Sequence, residues 1–505
     1  MNALQQEKNT LQGRTTANPF VPISRGWLAL LVTYVLLYRV LTPGLRQVLF
    51  NSSAPLSGWR TLLDIVHQLL IFAPILFYRS RFGWLHPLIL ITIFGLGKSF
   101  MSDPGQLLAP LRLFQGPVQE TLTHPELPEI GERAMAQAAV EHQLLSIAAM
   151  LCYYTGFFFE QKYRLLAPRL PRLKFTRPHR VAPVALGVAG LSVAVALIYM
   201  QQHGGIRGYL LYYFGNRTSR SAQSGSVFFV VRMGSVACLI WYSLKKKAVY
   251  NPLFWLAFAT AVPVNFLIRG SRGSVFLVVV LFLLIWMVRK QKVPTGRAMA
   301  TGLLVLLLLG VMGDFRRSAA WEGELRWDLF TDTGFVEALS ESQEEAHTRR
   351  DYTGGVPVIA RVPEEVDFLN GSTYVSAMFT FVPRVVWKDK PKGAGILNGQ
   401  VILKRGAEGG AVPPSTVAEA YWNFWIPGVV VLFFLFGIFH KWLARAFRRY
   451  AWTPAVWFPY LIAAIWMEPA SHEMNLAIKQ TVTAFAILLA MGAITFRKRQ
   501  PRHAS

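Results

Sequence analysis

The chain has 505 residues, 53% of them hydrophobic and only 16% charged, with a formal net charge of +25. Soluble domains carry about 25% charged residues, so the composition excludes a soluble enzyme and a disordered chain. A disulfide scaffold is excluded too, because both cysteines, Cys152 and Cys238, sit in apolar runs where structural bridges are not expected. Binding to nucleic acid would require the basic residues to crowd one polar domain; here they form short clusters between apolar runs, and no nucleic-acid partner is expected.

Those runs have the length, roughly 20 residues, that crosses a lipid bilayer. In chain order the predicted spans are 26–43, 60–78, 83–100, 134–159, 181–201, 227–244, 250–268, 274–288, 298–313, 426–440, 452–468 and 476–496. The expected fold class is an all-α polytopic membrane protein with about twelve transmembrane helices. Helices 1–9 and their short loops occupy 1–313, one large, partly helical loop fills 314–425, and helices 10–12 with a basic tail complete 426–505. The first twenty residues (MNALQQEKNTLQGRTTANPF) are polar and carry no cleavable signal pattern.

Lysine and arginine in short loops mark the cytoplasmic face. With the N-terminus inside, RSR at 79–81, the seven basic residues between Lys162 and Arg180, KKK at 245–247, RKQK at 289–292 and RKR at 497–499 all fall on that face. The inner segments hold 27 Lys/Arg against two acids, Glu7 and Glu160, and so carry the whole net charge. The excess is a topology signal, and it puts both termini inside and the large loop outside.

That loop holds 16 Asp/Glu against 12 Lys/Arg, and loops of such length are usually functional or disordered. Within it, 335–350 (FVEALSESQEEAHTRR) predicts a helix, with Glu345 and Arg349 at i,i+4 spacing. Smaller outer segments carry arginines against the charge rule: Arg207, Arg217 and Arg220 after the fifth span, Arg269 and Arg272 in the RGSRG link, and Arg316 and Arg317 after the ninth span. Arg232 lies inside the sixth span. Guanidinium groups bind phosphate oxygens in pairs, which suits a lipid-linked phosphate or diphosphate at the outer face. The alternative is that these arginines snorkel or pair with the loop's own acids. The sequence has no HExxH, CxxC or Walker A pattern, so no metal site and no cofactor are expected.

Just before the tenth span stands AVPPSTVAEAYWNFWIPG at 411–428. Its Glu419 has apolar and aromatic neighbours, and desolvation there raises a carboxyl pKa and suits it to acid–base work. The alternative is a loop carboxylate bonded to backbone or paired with arginine. Inside the spans, Asp64 with His67 and Glu141 with His142 read as structural pairs or as the lining of a polar cavity.

The order of residues across both outer-loop stretches is distinctive. Gly371-Ser372 is followed by Phe381, Pro383, Arg384 and Trp387, then by Lys390-Pro391; further on come Pro414-Ser415, Glu419, Tyr421, Asn423-Phe424 and Gly428. This pattern resembles the Wzy-type bacterial oligosaccharide repeat-unit polymerases, which assemble O-antigen and exopolysaccharide. Arg384 and Gly395 match an Arg-x(10)-Gly pattern described for their periplasmic loops, and Trp425 stands where many of those proteins have glycine.

The resemblance implies a glycosyltransferase of the bacterial inner membrane, working at its periplasmic face. A glycan would pass from undecaprenyl diphosphate onto a new undecaprenyl-diphosphate-linked oligosaccharide without a metal, with a repeat-unit flippase and a chain-length regulator as further partners. The acceptor hydroxyl then needs a base, for which Glu419 stands first, His347 and Glu345 next, and His472 last. Arg384 and the outer arginines would hold the diphosphate. Tyr374, Trp387, Tyr421 and Asn423, with Tyr212, Tyr213 and Trp422, would meet the sugars. Two other readings remain open: an O-antigen ligase, and a twelve-helix transporter, which should show two equivalent halves that this sequence does not repeat.

Overall fold

The computed structural model describes residues 18–50, 55–79, 81–102, 127–159, 177–210, 225–269, 272–294, 296, 354–379, 382, 386–405, 411–451, 453–466 and 474–492. Among the described residues there is no β-strand, only an isolated antiparallel bridge between Pro22 and Gly83. Helix is what a bilayer demands of backbone, because every N–H and C=O must be satisfied within the segment.

Ser24 opens the first helix, its hydroxyl accepting the N–H of Trp27. Helix α1 (Arg25–Tyr34) runs through a π-helical stretch, Val35–Leu41, into α2 (Thr42–Phe50). There follow α3 (Ser57–Leu76), α4 (Pro87–Ser102), α5 (Glu132–Phe158), α6 (Val181–Gln201), α7 (Gly225–Leu244), α8 (Pro252–Arg269) and α9 (Arg272–Lys290). Three short helices, α10 (Val356–Arg361), α11 (Ser372–Met378) and α12 (Ala394–Leu397), precede the long α13 (Thr416–Tyr450), and α14 (Pro454–Trp466) and α15 (Met474–Ala490) follow it.

Among the described residues five helices are long and apolar enough to cross a membrane: Arg25–Leu49, Ser57–Leu76, Pro178–Gln201, Val227–Leu244 and Thr416–Tyr450. Pro252–Ile268, Pro454–Ile465 and Thr481–Ala490 are shorter apolar helices. The molecule is therefore an all-helical protein with several helices fit to span a bilayer. The predicted span 298–313 and the predicted loop helix 335–350 lie outside the described residues.

Among the described residues two large packed cores, with a small third cluster around Tyr199, Tyr209 and Ile268, make up the bundle. One joins α6, α7, α8, α9, α14 and α15. The other joins α1, α3, α4, α5 and the first half of α13 with the stretch 356–403. The second core is organised by the crossing of α5 and α13. At Gly156 an added Cβ would collide with the carbonyl oxygen of Phe434, and at Gly437 with that of Tyr153. Glycine at both positions lets the two backbones touch, as small residues do where membrane helices meet closely. Beside this contact the buried Tyr153 Oη lies 2.7 Å from His440 Nδ1.

The two helices run parallel. His142 of α5 meets Ser415 at the start of α13, and seventeen residues further along α5 the Phe159 carbonyl accepts from Lys441 Nζ at 2.6 Å. Other contacts pair like ends with like. Lys404 bridges to Glu129, and Tyr209 Oη donates to the Ile268 carbonyl, between segments the charge pattern puts outside. Between segments it puts inside, Tyr78 Oη accepts from the Ile23 N–H, and Arg289 lies over the rings of Tyr242 and Trp457.

Candidate functional site

Helix α13 begins at Thr416, ten residues before the apolar run that predicted its span. The reason is local: Ser415 caps it, its hydroxyl accepting the Ala418 N–H at 3.2 Å, and Glu419 in the first turn suits the positive end of the helix dipole. The helix then breaks. Phe424 (φ −145°, ψ 20°) and Trp425 (φ 55°, ψ −154°) are not helical, and Ser415 has φ 69° and ψ 155°. Ser415 and Trp425 thus occupy a region that essentially only glycine enters without strain, at about 1–3 kcal/mol each. They bracket a two-turn segment, 416–424, whose backbone is held in place from both sides.

Ser415, Glu419 and Asn423 recur at i, i+4 and i+8 and so share one face of this segment. Glu419 is 3% exposed and Asn423 1%. The Asn423 amide donates to Thr373 Oγ1 and to the Glu419 carbonyl, each at 2.8 Å, while its Oδ1 is buried and has no hydrogen-bond partner among the described residues. Tyr374 stacks parallel on Phe424 with centroids 5.9 Å apart, and its buried hydroxyl likewise has no hydrogen-bond partner among the described residues. Burial, and then the negative charge of Glu419, push that phenol well above its usual pKa. Tyr374 therefore stays protonated, a donor beside the carboxylate.

Residues some fifty positions earlier build the other wall. Gly371, at φ 84°, starts α11 where a Cβ would stand 2.9 Å from the Phe424 ring, so only glycine lets α11 come this close. The Leu369 N–H donates to the Trp422 carbonyl at 2.9 Å, Trp422 Nε1 to the Asp367 carbonyl at 3.2 Å, and Tyr421 Oη to the Val362 carbonyl at 3.3 Å. Arg361, only 5% exposed, pairs with Glu365 at 2.8 Å and donates to the carbonyls of Val401 and Ile402. Asn398 ties Gly354 to Val412 through its amide, at 3.1 and 3.0 Å. At the rim, Lys404 lies 2.5 Å from Glu129 and holds that carboxyl below the usual carboxylate range.

The third wall is α5. His142 Nε2 lies 3.2 Å from Ser415 Oγ, and Gly355 backs against the imidazole so closely that a Cβ would collide with Nε2. Both Ser415 and His142 are partly exposed, unlike Glu419 between them and Asn423.

Of the residues singled out from the sequence, Glu419, Asn423 and Tyr374 stand together. Tyr421 serves the cap, bonding Val362 and packing edge-on near Phe368 at 6.4 Å. Trp387 is half-buried, edge-on to Phe379 at 5.5 Å just past α11. Arg207 is exposed on a one-turn helix, Gly205–Gly208, at the end of α6. Arg269 closes α8 and Arg272 opens α9. Arg217, Arg220, Arg316, Arg317, His347 and Arg384, with Tyr212, Tyr213, Glu345 and His472, lie outside the described residues.

Sequence reasoning passed over Thr373 and Asn398 and read His142 as a partner of Glu141. Glu141 is instead exposed, and His142 faces Ser415. One signal was available: Pro-Pro followed by Ser, a preferred cap residue, with Glu in the turn that follows, marks a helix N-terminus. That signal turns 416–424 from loop into helix and aligns Ser415 with Glu419.

A family model described as a domain of unknown function, DUF8712, matches residues 205–490. The match takes in α7 to α15 and with them the whole polar face of α13. No curated protein and no solved structure matches the chain.

Proposed function

This chain belongs to the DUF8712 family, whose description names no activity, and from that footing we propose that it is a membrane glycosyltransferase. It polymerises oligosaccharide repeat units carried on undecaprenyl diphosphate. The observation that supports this most is that residues whose order resembles the polymerases pack together on the helix turn that buries Glu419: Gly371 lies against the Phe424 ring, and Asn423 bonds the Glu419 backbone carbonyl.

In this reading twelve helices cross the bacterial inner membrane with both termini in the cytoplasm, and the reacting end of α13 faces the periplasm. The acceptor hydroxyl attacks the anomeric carbon of the lipid-linked glycan, Glu419 takes its proton, and undecaprenyl diphosphate leaves. Charge developing on the diphosphate is met by guanidinium groups, Arg384 and the outer arginines, which act there without reorganising. The protonated Tyr374 donates to oxygen at the reacting centre. Lipid tails enter sideways from the bilayer, and a flippase and a chain-length regulator supply and limit the substrate.

The test is direct. Purified protein in lipid, given a synthetic undecaprenyl-diphosphate repeat unit, forms a ladder of lengthening products, and Arg384→Ala and Glu419→Ala each remove it with the protein still folded. Wild-type yield from either variant removes that residue from the site. A single product on a lipid core indicates a ligase, and movement of the unit across the bilayer without a new bond indicates a transporter.

A further inference from the structure

The segments that the charge pattern puts inside hold 27 Lys/Arg against two acids, Glu7 and Glu160, so most of their cations have no carboxylate on the same face to pair with. Some are spent within the protein all the same. At the end of α9 the Arg289 guanidinium lies over the Tyr242 ring and donates to the Tyr242 and Ser243 carbonyls at the end of α7. The end of α13 is different. Arg445, Arg448 and Arg449 are exposed there, and among the described residues none of the three pairs with a carboxylate.

Two of these arginines lie on a face with a second property. Val431, Leu435, Ile438, Trp442, Arg445 and Arg449 recur at alternating steps of four and three and so line up along one side of α13. Val431 is 55% exposed and Leu435 50%; Ile438 and Trp442 are half-buried, and both arginines are exposed. The opposite side, with Phe433, Phe436, His440, Leu443 and Phe447, is buried. The open face is thus apolar for about 17 Å, at about 1.5 Å per residue, and then cationic. The change falls just past the level where α5 ends, with Phe158 and Phe159 half exposed and the Phe159 carbonyl accepting from Lys441 Nζ at 2.6 Å. Apolar composition stops on both helices there, and an aromatic pair is typical of the edge of the hydrocarbon layer. Side chains on a helix lean toward its N-terminus, so Arg445 and Arg449, one to two turns past that edge, lean back toward it.

We propose that this face of α13 binds an anionic glycerophospholipid of the cytoplasmic leaflet, a site independent of the polymerase reading. One acyl chain lies along Val431 to Trp442, and the phosphate sits between Arg445 and Arg449, whose guanidinium groups bind phosphate oxygens in pairs. The chain itself offers no substitute for that negative charge. From 161 to 180, directly after α5, it carries seven Lys/Arg and no acid, and from 441 to 453 it carries no acid either. A zwitterionic lipid brings a cation of its own to the arginines, which an anionic lipid does not. A soluble anion would leave the apolar half of the face without a partner.

Native mass spectrometry on the delipidated full-length protein in detergent, titrated with dioleoyl-phosphatidylglycerol or dioleoyl-phosphatidylcholine, counts the lipids retained. Wild type is expected to hold phosphatidylglycerol about tenfold or more tightly than phosphatidylcholine. Replacing both arginines, Arg445→Gln with Arg449→Gln, changes only exposed positions and should weaken phosphatidylglycerol about 30-fold, the scale of two cations lost from an anionic membrane surface. The control removes three cations from the same side of the protein: Lys245→Gln, Lys246→Gln and Lys247→Gln together should leave the affinity within about twofold. Equal affinity for the two lipids overturns the site. So does a loss in the triple lysine variant as large as in the arginine pair, because net charge and not this face would then select the lipid. Displacement of phosphatidylglycerol by an equal concentration of inorganic phosphate overturns it as well, since the arginines would then bind an anion without its chains.

Discussion

Among the described residues helices α5 and α13 are joined by two pairs of polar side chains, one toward each end of their contact, and the two differ in burial. Tyr153 and His440 lie in the dry interior at 2.7 Å, next to the Gly156 and Gly437 crossing where the backbones touch. His142 and Ser415 are partly exposed at 3.2 Å, where one partner carries a strained backbone and a buried carboxylate follows one turn later. A hydrogen bond sealed from water can only hold two helices in register. A partly exposed hydrogen bond beside a buried carboxylate stands instead on the wall of the candidate site. The interface is thus a buried anchor at one end and, in the proposed function, the wall of the site at the other, and substitutions should separate the two.

The largest effect on the anchor is expected from Gly437→Ala. Its Cβ collides with the Tyr153 carbonyl, which is backbone and cannot swing aside, so the helices must part at a cost of about 3 kcal/mol, the upper end of ordinary overpacking. Thermal unfolding in detergent reports it as a clear drop in Tm. A Tm equal to wild type would mean that the helices do not touch here.

Tyr153→Phe should cost about 2 kcal/mol, because it leaves His440 Nδ1 buried without its phenol. The rate of linkage per folded molecule should stay within about twofold of wild type. His142→Gln should show the reverse, with Tm nearly unchanged and turnover lost. If Tyr153→Phe lowers turnover as steeply as His142→Gln does, the two ends are not separable and the comparison fails.

The smallest effect has the opposite sign. Trp425 is 51% exposed and sits at φ 55°, ψ −154°, so replacing it with glycine relieves strain while giving up only part of a side chain's packing. A net gain of about 1 kcal/mol is expected, read as a raised Tm. A lowered Tm would show that the Trp425 indole holds α13 more firmly than its backbone strains it.

Trp425 also shows how much could be read in advance. The sequence resemblance noted it as a departure from glycine, and its backbone, in a break of α13 at φ 55°, is one that glycine adopts without strain. The apolar runs were legible because burial in lipid writes itself as composition, and a helix lies on each predicted span that the described residues cover. Glu419 and Asn423 were legible because polar residues stand out in such a setting.

What stayed hidden depends on three dimensions. His142 and Ser415 are separated by 273 positions, and no local pattern announces that α5 will deliver one to the other. The Thr373 hydroxyl accepts from the Asn423 amide, and the Asn398 amide donates to two backbone carbonyls, bonds that several polar residue types could make. The start of α13 was misplaced by ten residues for a related reason: hydropathy marks where a helix enters lipid, whereas a cap and a dipole decide where it begins.

The most direct test of glycan transfer at this site follows the leaving group. Purified protein is mixed with a donor unit on a fluorescent undecaprenyl diphosphate and an acceptor unit bearing heavy-isotope sugar, and mass spectrometry counts linkages and freed lipid. Transfer as described predicts one undecaprenyl diphosphate released for every linkage formed, with both absent in Glu419→Ala. Linkages formed without freed undecaprenyl diphosphate, or passage of intact units across the bilayer with neither, would contradict it.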